Sequence, residues 1–287
     1  MIDPSFATVW KTWSMPVAAT TSIVICAAVY ALGCVRIRHT RREMFPSWRA
    51  ACFILGLVAL WLAIASPLAE FDDYLLVAHM TQHLVLMSVT PPLLLLGFPI
   101  VPLLRGLPKS LLRRVFAQLF SVGILQSLGR FLTHPIVAWI AMNLSYVAWH
   151  VPAAYELALR SEGWHYVEHS CFFFTSLMFW FPVVRPWPSV SRTSRWPLLL
   201  YLLGADVINT ALSAFLTFCG RVLYPSYADA PRISSLSPLS DQVAAGAFMW
   251  VAGSVAFLLP AVFIAAKLLS PAVKACPEPH AYAAGIR

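Results

Sequence analysis

Residues 15–34 carry no charged side chain, and six further apolar stretches follow at about 50–67, 75–98, 134–151, 164–184, 196–219 and 242–266. A helix that crosses a bilayer needs roughly 20 predominantly apolar residues. Seven such runs in one chain leave little choice of solvent. In hydrocarbon every backbone N–H and C=O must pair within the protein, so the segments are predicted to be helices. The composition agrees: 60% of the 287 residues are hydrophobic and only 11% are charged, too apolar for a soluble domain. The expected fold is all-α: one integral membrane domain over 1–287 with seven transmembrane helices. The first run is followed by arginines rather than by a small-residue cleavage site, so it is expected to stay as a span. Six cysteines without a CxxC pair argue against a disulfide framework.

The net charge of +8 could suggest nucleic acid. The basic residues, however, fall in short loops between apolar runs, where they record membrane orientation instead. Arg36, Arg38, Arg41, Arg42 and Arg49 fill the first loop. Arg105, Lys109, Arg113, Arg114 and Arg130 fill the third, Arg185, Arg192 and Arg195 the fifth, and Lys267, Lys274 and Arg287 the tail. These are 16 of the 20 basic residues, whereas nine of the twelve acids fall on the other side. The positive-inside rule then predicts the N-terminus outside and the C-terminus inside. Between the third and fourth runs, Leu111, Leu112, Val115, Phe116, Leu119 and Phe120 have helical spacing, with Arg113 and Arg114 among them. An amphipathic helix at about 110–121, lying on the membrane surface, is the expected result.

Orientation turns a list of histidines into a place. His79 and His83 lie one to two turns into the third run, roughly 6–12 Å from its outer end at 1.5 Å per residue. His150 ends the fourth run, and His165 and His169, again four apart, begin the fifth. Five of the eight histidines therefore share one face of the membrane on three helices. Intramembrane polar groups are costly and usually line a bundle interior or cavity, which favours a cluster with a function. Met87 continues the stripe of His79 and His83, and Met249 sits about two turns into the seventh run. The same outer layer holds Asp241, Gln242 and Gly246 (a residue that lets a neighbour approach closely), with Trp250 beyond them. Pro91 and Pro92 are expected to kink the third helix, and Pro91 leaves the Met87 carbonyl without its usual partner.

Imidazole binds Zn, Cu, Fe and Ni, and thioether shifts the preference toward Cu(I). The stripe of His79, His83 and Met87 suits copper better than magnesium or calcium. The candidate ligands are His79, His83, His150, His165, His169, Met87 and Met249, reached from outside by an extracytoplasmic copper donor. Three other chemistries compete. The two His pairs could hold haem b, although five histidines over-supply one haem. The segment HYVEH at 165–169 matches the H-x-x-E-H pattern of a zinc protease family, with Glu168 equally readable as a rim charge. Zinc could also serve a membrane hydrolase with Asp72, Asp73 or Asp241 as base. A fourth possibility is a platform whose histidines only fill polar gaps.

The segments HMTQHLVLMSVTPPLLLLGFP, AWHVPAAYELAL, HYVEHSCFFFTSLMFWFPV and DQVAAGAFMW resemble the polytopic CtaG family of cytochrome c oxidase assembly factors, over residues 50–265. The double proline after the His pair and the WH-P-x-x-Y element carry the likeness. The resemblance implies a bacterial inner-membrane protein that helps build the metal centres of a haem–copper oxidase by copper handling, with the oxidase subunits as partners; no enzymatic activity is expected, with zinc hydrolysis as the runner-up. Its pattern falls on His79, His83, His150, His165, His169, Asp241, Gln242, Gly246, Met249 and Trp250.

Overall fold

The computed structural model describes residues 13–38, 45–111, 123–186 and 194–270. Among them every regular element is a helix. All seven apolar runs are helical. They are α1 (Val17–Arg38), α2 (Ser47–Ile64), α3 (Leu76–Leu96), α6 (Pro135–Trp149), α8 (Glu162–Val184), α9 (Pro197–Phe218) and α11 (Pro238–Leu269). Shorter helices lie between them: α4 (Ile100–Gly106), α5 (Gly123–Leu132), α7 (Pro152–Leu159) and α10 (Pro225–Asp229). Five helices are long and apolar enough to cross a bilayer alone. The third and fourth runs qualify only as bent pairs, α3 with α4 at 68° and α5 with α6 at 63°. The described spans and bent pairs thus give five to seven crossings. Residues 112–121 of the expected surface helix lie outside the described residues.

α3 runs through its two prolines, and beyond them it turns by 68° into α4. Pro91 and Pro92 sit at the start of a regular helical turn, and the helix passes them through one π turn at Val85–Val89. A π turn inserts an extra residue, which makes room for a proline ring. The Met87 carbonyl that Pro91 deprives of a helical donor is taken up by the Trp180 indole N–H at 2.8 Å. The large change of direction comes later, after Gly97. There Phe98 adopts a left-handed φ of 49° and Pro99 starts α4. The Arg49 guanidinium lies 3.4 Å over the Phe98 ring, closing the turn.

α3 is the central element, packed against α2, α8 and α11, while α6 packs on α8 and α9 on α11. The α9–α11 contact is close because it needs no side chain at two points. A methyl group at Gly246 would come within 2.9 Å of the Thr217 nitrogen and 3.0 Å of the Ser213 carbonyl oxygen. One at Gly253 would meet the Asn209 amide at 2.6 Å. Small residues of this kind let membrane helices approach without a hydrophobic driving force between them.

Candidate metal centre

α3 starts beside α11, and Asp241 fixes the junction. Its Oδ2 accepts the Leu76 N–H at 2.6 Å and its Oδ1 the Val77 N–H at 3.2 Å. The first turn of a helix leaves its amides without internal partners. Asp241 thus caps α3 from another helix and holds His79 one turn later. Gln242 locks the preceding loop: its Oε1 accepts the Leu223 N–H at 2.8 Å, and its amide donates to the Arg221 carbonyl at 2.9 Å. Glu156 anchors α10 by accepting the Ser226 N–H at 3.0 Å and its hydroxyl at 2.6 Å. That anchor sets Tyr227 over the histidines.

The two His pairs face each other. Ring centroids lie 5.2 Å apart for His79 and His165, 6.2 Å for His79 and His169, and 5.4 Å for His83 and His169. His150, at the end of α6, stands 6.3 Å from His83. The structure brings these five expected residues together. Of the two readings of Glu168, a rim charge or a member of the H-x-x-E-H group, the fold gives an inward-facing side chain. It is wholly buried, with Oε1 3.6 Å from His83 Nε2 and Oε2 3.8 Å from His79 Nε2. His79, His165, Glu168 and His169 each offer a ligand atom within 4.8 Å of the others. The signal was available in the numbers: positions 165, 168 and 169 follow i, i+3, i+4, so they share one helix face. That face continues inward through the buried Phe172, Ser176 and Phe179.

Hydrogen bonds assign proton positions in the cluster. Tyr227 donates its single hydroxyl proton to the Asp72 carbonyl at 2.7 Å. Its oxygen must then accept from His79 Nδ1–H, 3.0 Å away, which leaves the His79 Nε2 lone pair directed at His83 Nε2 2.9 Å off. His150 follows the same logic. Its Nδ1–H donates to the Tyr146 carbonyl at 2.7 Å, and its buried Nε2 has no hydrogen-bond partner. Imidazoles that ligate metals are held in this way, with one nitrogen tied to an oxygen and the other exposing a lone pair.

Both Glu168 oxygens, His83 Nδ1, His165 Nε2 and His169 Nε2 are also buried without hydrogen-bond partners. Buried polar groups are nearly always paired, so a cluster of orphans needs an account. A metal ion supplies one. Ligand atoms about 2.0–2.1 Å from one ion lie roughly 3–3.5 Å from each other. The spacings of 2.9, 3.6 and 3.8 Å surround that range. His79, His83, His165, Glu168 and His169 therefore fit a cation, and the imidazole–carboxylate set suits zinc or copper. Asp72 stands beside them, its Oδ2 3.5 Å from His165 Nε2. Burial, with the neighbouring Asp73 carboxylate, pushes the Asp72 carboxyl well above the usual carboxylate range. The cluster opens to a cleft of about 720 Å³ lined by Glu70, Asp72, Asp73, Glu162, His165 and His169.

Met87 and Met249 do not join the His–Glu group. They line a separate small cavity on the inner side of His83, together with His150. Trp250 is further off, edge-on to Phe218 at 6.3 Å in the α9–α11 contact.

A helical membrane protein with a buried histidine–carboxylate cluster near one end of its bundle is the class these features define. A model of the cytochrome c oxidase caa3 assembly factor family matches residues 28–270, most of the chain, and the chain belongs to that family. It is similar to uncharacterized proteins of Mycobacterium bovis and Mycobacterium tuberculosis, each 26% identical over 255 residues, 86% of this chain and 38% of theirs. An uncharacterized protein of Mycobacterium leprae is 24% identical over 280 residues, 92% of this chain and 40% of its own. The chain thus spans about two fifths of these relatives' length. No solved structure gives a significant match.

Proposed function

We propose that the protein binds copper at the cluster of His79, His83, His165, Glu168 and His169 and passes it to cytochrome c oxidase during assembly. One observation carries the reading: His79, His165, Glu168 and His169 bring ligand atoms within 4.8 Å of one another, and both Glu168 oxygens and the Nε2 atoms of His165 and His169 have no hydrogen-bond partner, in a chain of an oxidase assembly family. Copper here is cargo, and its transfer is ligand exchange without bond-making in a substrate. The protein is a multi-pass protein of a bacterial inner membrane, with the cluster and its acidic cleft on the outer side. An extracytoplasmic copper donor delivers there, and the cleft's carboxylates raise the local cation concentration before entry. The runner-up is zinc-dependent hydrolysis, which the placement of Glu168 inside the H-x-x-E-H group favours. Elemental analysis of protein purified without a polyhistidine tag separates the two. Copper near one or more equivalents is expected. Zinc alone would shift the reading to the hydrolase, and no metal at all would leave a platform.

Orientation is a separate expectation, resting on the asymmetry of basic residues. A reporter active only in the cytoplasm, fused after Arg287, should be active. An inactive fusion of intact, inserted protein would place the cluster on the inner face and remove the route to an extracytoplasmic donor.

A further inference from the structure

The cavity on the inner side of the cluster has a different donor set. It measures about 30 Å³ and is lined by four methionines, Met80, Met87, Met142 and Met249, together with His83 and His150. All six are buried. They come from three elements, α3, α6 and α11, with His150 at the end of α6, so no single helix periodicity explains the convergence. A bare packing core has no need of the two imidazoles. Each has one nitrogen without a hydrogen-bond partner, Nδ1 of His83 and Nε2 of His150. The His150 lone pair is fixed by its other nitrogen's bond to Tyr146. A water occupies roughly 10–15 Å³ of such a space, so the room suffices for one ion.

From this we propose a second metal site: a chamber for a soft monovalent cation, Cu(I), held by methionine thioethers and the His150 imidazole. Thioether and imidazole favour Cu(I) over zinc and over hard cations. His83 belongs to both places. Its Nε2 lies 2.9 Å from His79 Nε2 and 3.6 Å from Glu168, and its ring walls the chamber. The two sites form a short path in which an ion leaves oxygen and nitrogen donors for sulfur donors by ligand exchange at His83. The ion enters and stays as Cu(I), so no electron changes hands. The proposal rests on the copper reading for how the ion arrives; the chamber's selectivity follows from its own donors.

The test uses the full chain with its methionines replaced by selenomethionine, loaded with Ag(I) as a redox-silent analogue and, anaerobically, with Cu(I). X-ray absorption at the metal edge should show selenium neighbours, which cysteine sulfur cannot mimic. Met142→Leu with Met249→Leu keeps volume and apolarity while removing two thioethers. That protein should lose most of the selenium shell and bind Ag(I) at least tenfold more weakly, whereas His165→Ala should keep the selenium shell. A wild-type protein with only nitrogen and oxygen neighbours at the metal would overturn the chamber and leave the cluster reading standing. That result needs no variant to fold. Selenium-ligated copper in a protein whose cluster variants still supply the oxidase normally would overturn the cluster reading and leave the chamber.

Discussion

Cells carrying His165→Ala should assemble an oxidase poor in copper while keeping normal amounts of this protein in the membrane. His165 is the ligand candidate best suited to separate metal binding from folding. Its side chain is 22% exposed at the edge of the acidic cleft, with Asp72 Oδ2 3.5 Å from its Nε2. Truncation there leaves a space open to the cleft rather than a sealed void. The loss of stability should be on the order of 1 kcal/mol, comparable to one modest polar contact. Metal affinity should fall far more, by about 100-fold or beyond, since disturbing even the supporting shell of a metal site costs 10–100-fold. His83→Ala is a poorer probe. The His83 ring is 3% exposed and packs 4.5 Å from Phe172, so its removal opens an internal cavity and costs about 2–5 kcal/mol, as large-to-small changes in cores do. The readouts are copper per oxidase under copper limitation and immunoblot of the membrane fraction. Supplementary copper should partly restore the oxidase, and zinc should not. Normal oxidase copper in the His165→Ala strain would remove the cluster from the delivery route.

The features legible in the sequence are those that one-dimensional patterns encode. Apolarity over 20 residues is such a pattern, and each of the seven runs is helical in the fold. The pairs His79–His83 and His165–His169 are legible for the same reason, because i,i+4 spacing fixes a shared face. Features that depend on neighbours are less visible. Asp241 reads as an acid at a membrane edge; its role as the cap of α3 exists only once α11 lies against Leu76 and Val77. Tyr227, which sets the His79 tautomer, sits in a loop helix with no pattern to mark it. The π turn that carries α3 past Pro91, the Trp180 indole on the Met87 carbonyl and the turn into α4 beyond Gly97 have no sequence pattern to mark them. Glu168 is the instructive case. A lone carboxyl near a span's end reads as a surface charge by composition, while its angular position beside His165 and His169 turns it inward.

Glu168→Leu should raise the stability of the metal-free protein and abolish most of the stabilisation that metal confers. A buried carboxylate with no hydrogen bond to either oxygen carries a desolvation penalty, and the His79 Nε2 3.8 Å away, which presents a lone pair, gives it no counter-charge. Exchanging such a group for an apolar one of similar size is often neutral or stabilising, by about 1–4 kcal/mol. Metal reverses the comparison. A ligand that binds only the folded state stabilises it by about 2.7 kcal/mol at a concentration 100 times its Kd. At 1,000 times Kd wild type should gain about 4.1 kcal/mol and the leucine variant only a small part of it, so the two unfolding curves should exchange order when copper is added. Thermal unfolding in detergent, with a strong chelator and then with excess copper, reads both halves. The alternative is that Glu168 holds the bundle together as the anion of a protonated His79 or His83. In that case removing it leaves an uncompensated buried cation, and Glu168→Leu would be destabilised by several kcal/mol with chelator and with copper alike. A parallel loss in both conditions would make Glu168 a structural ion pair and withdraw it from the metal site. An exchange of order would identify it as a ligand whose burial is tolerated because a cation is meant to lie beside it.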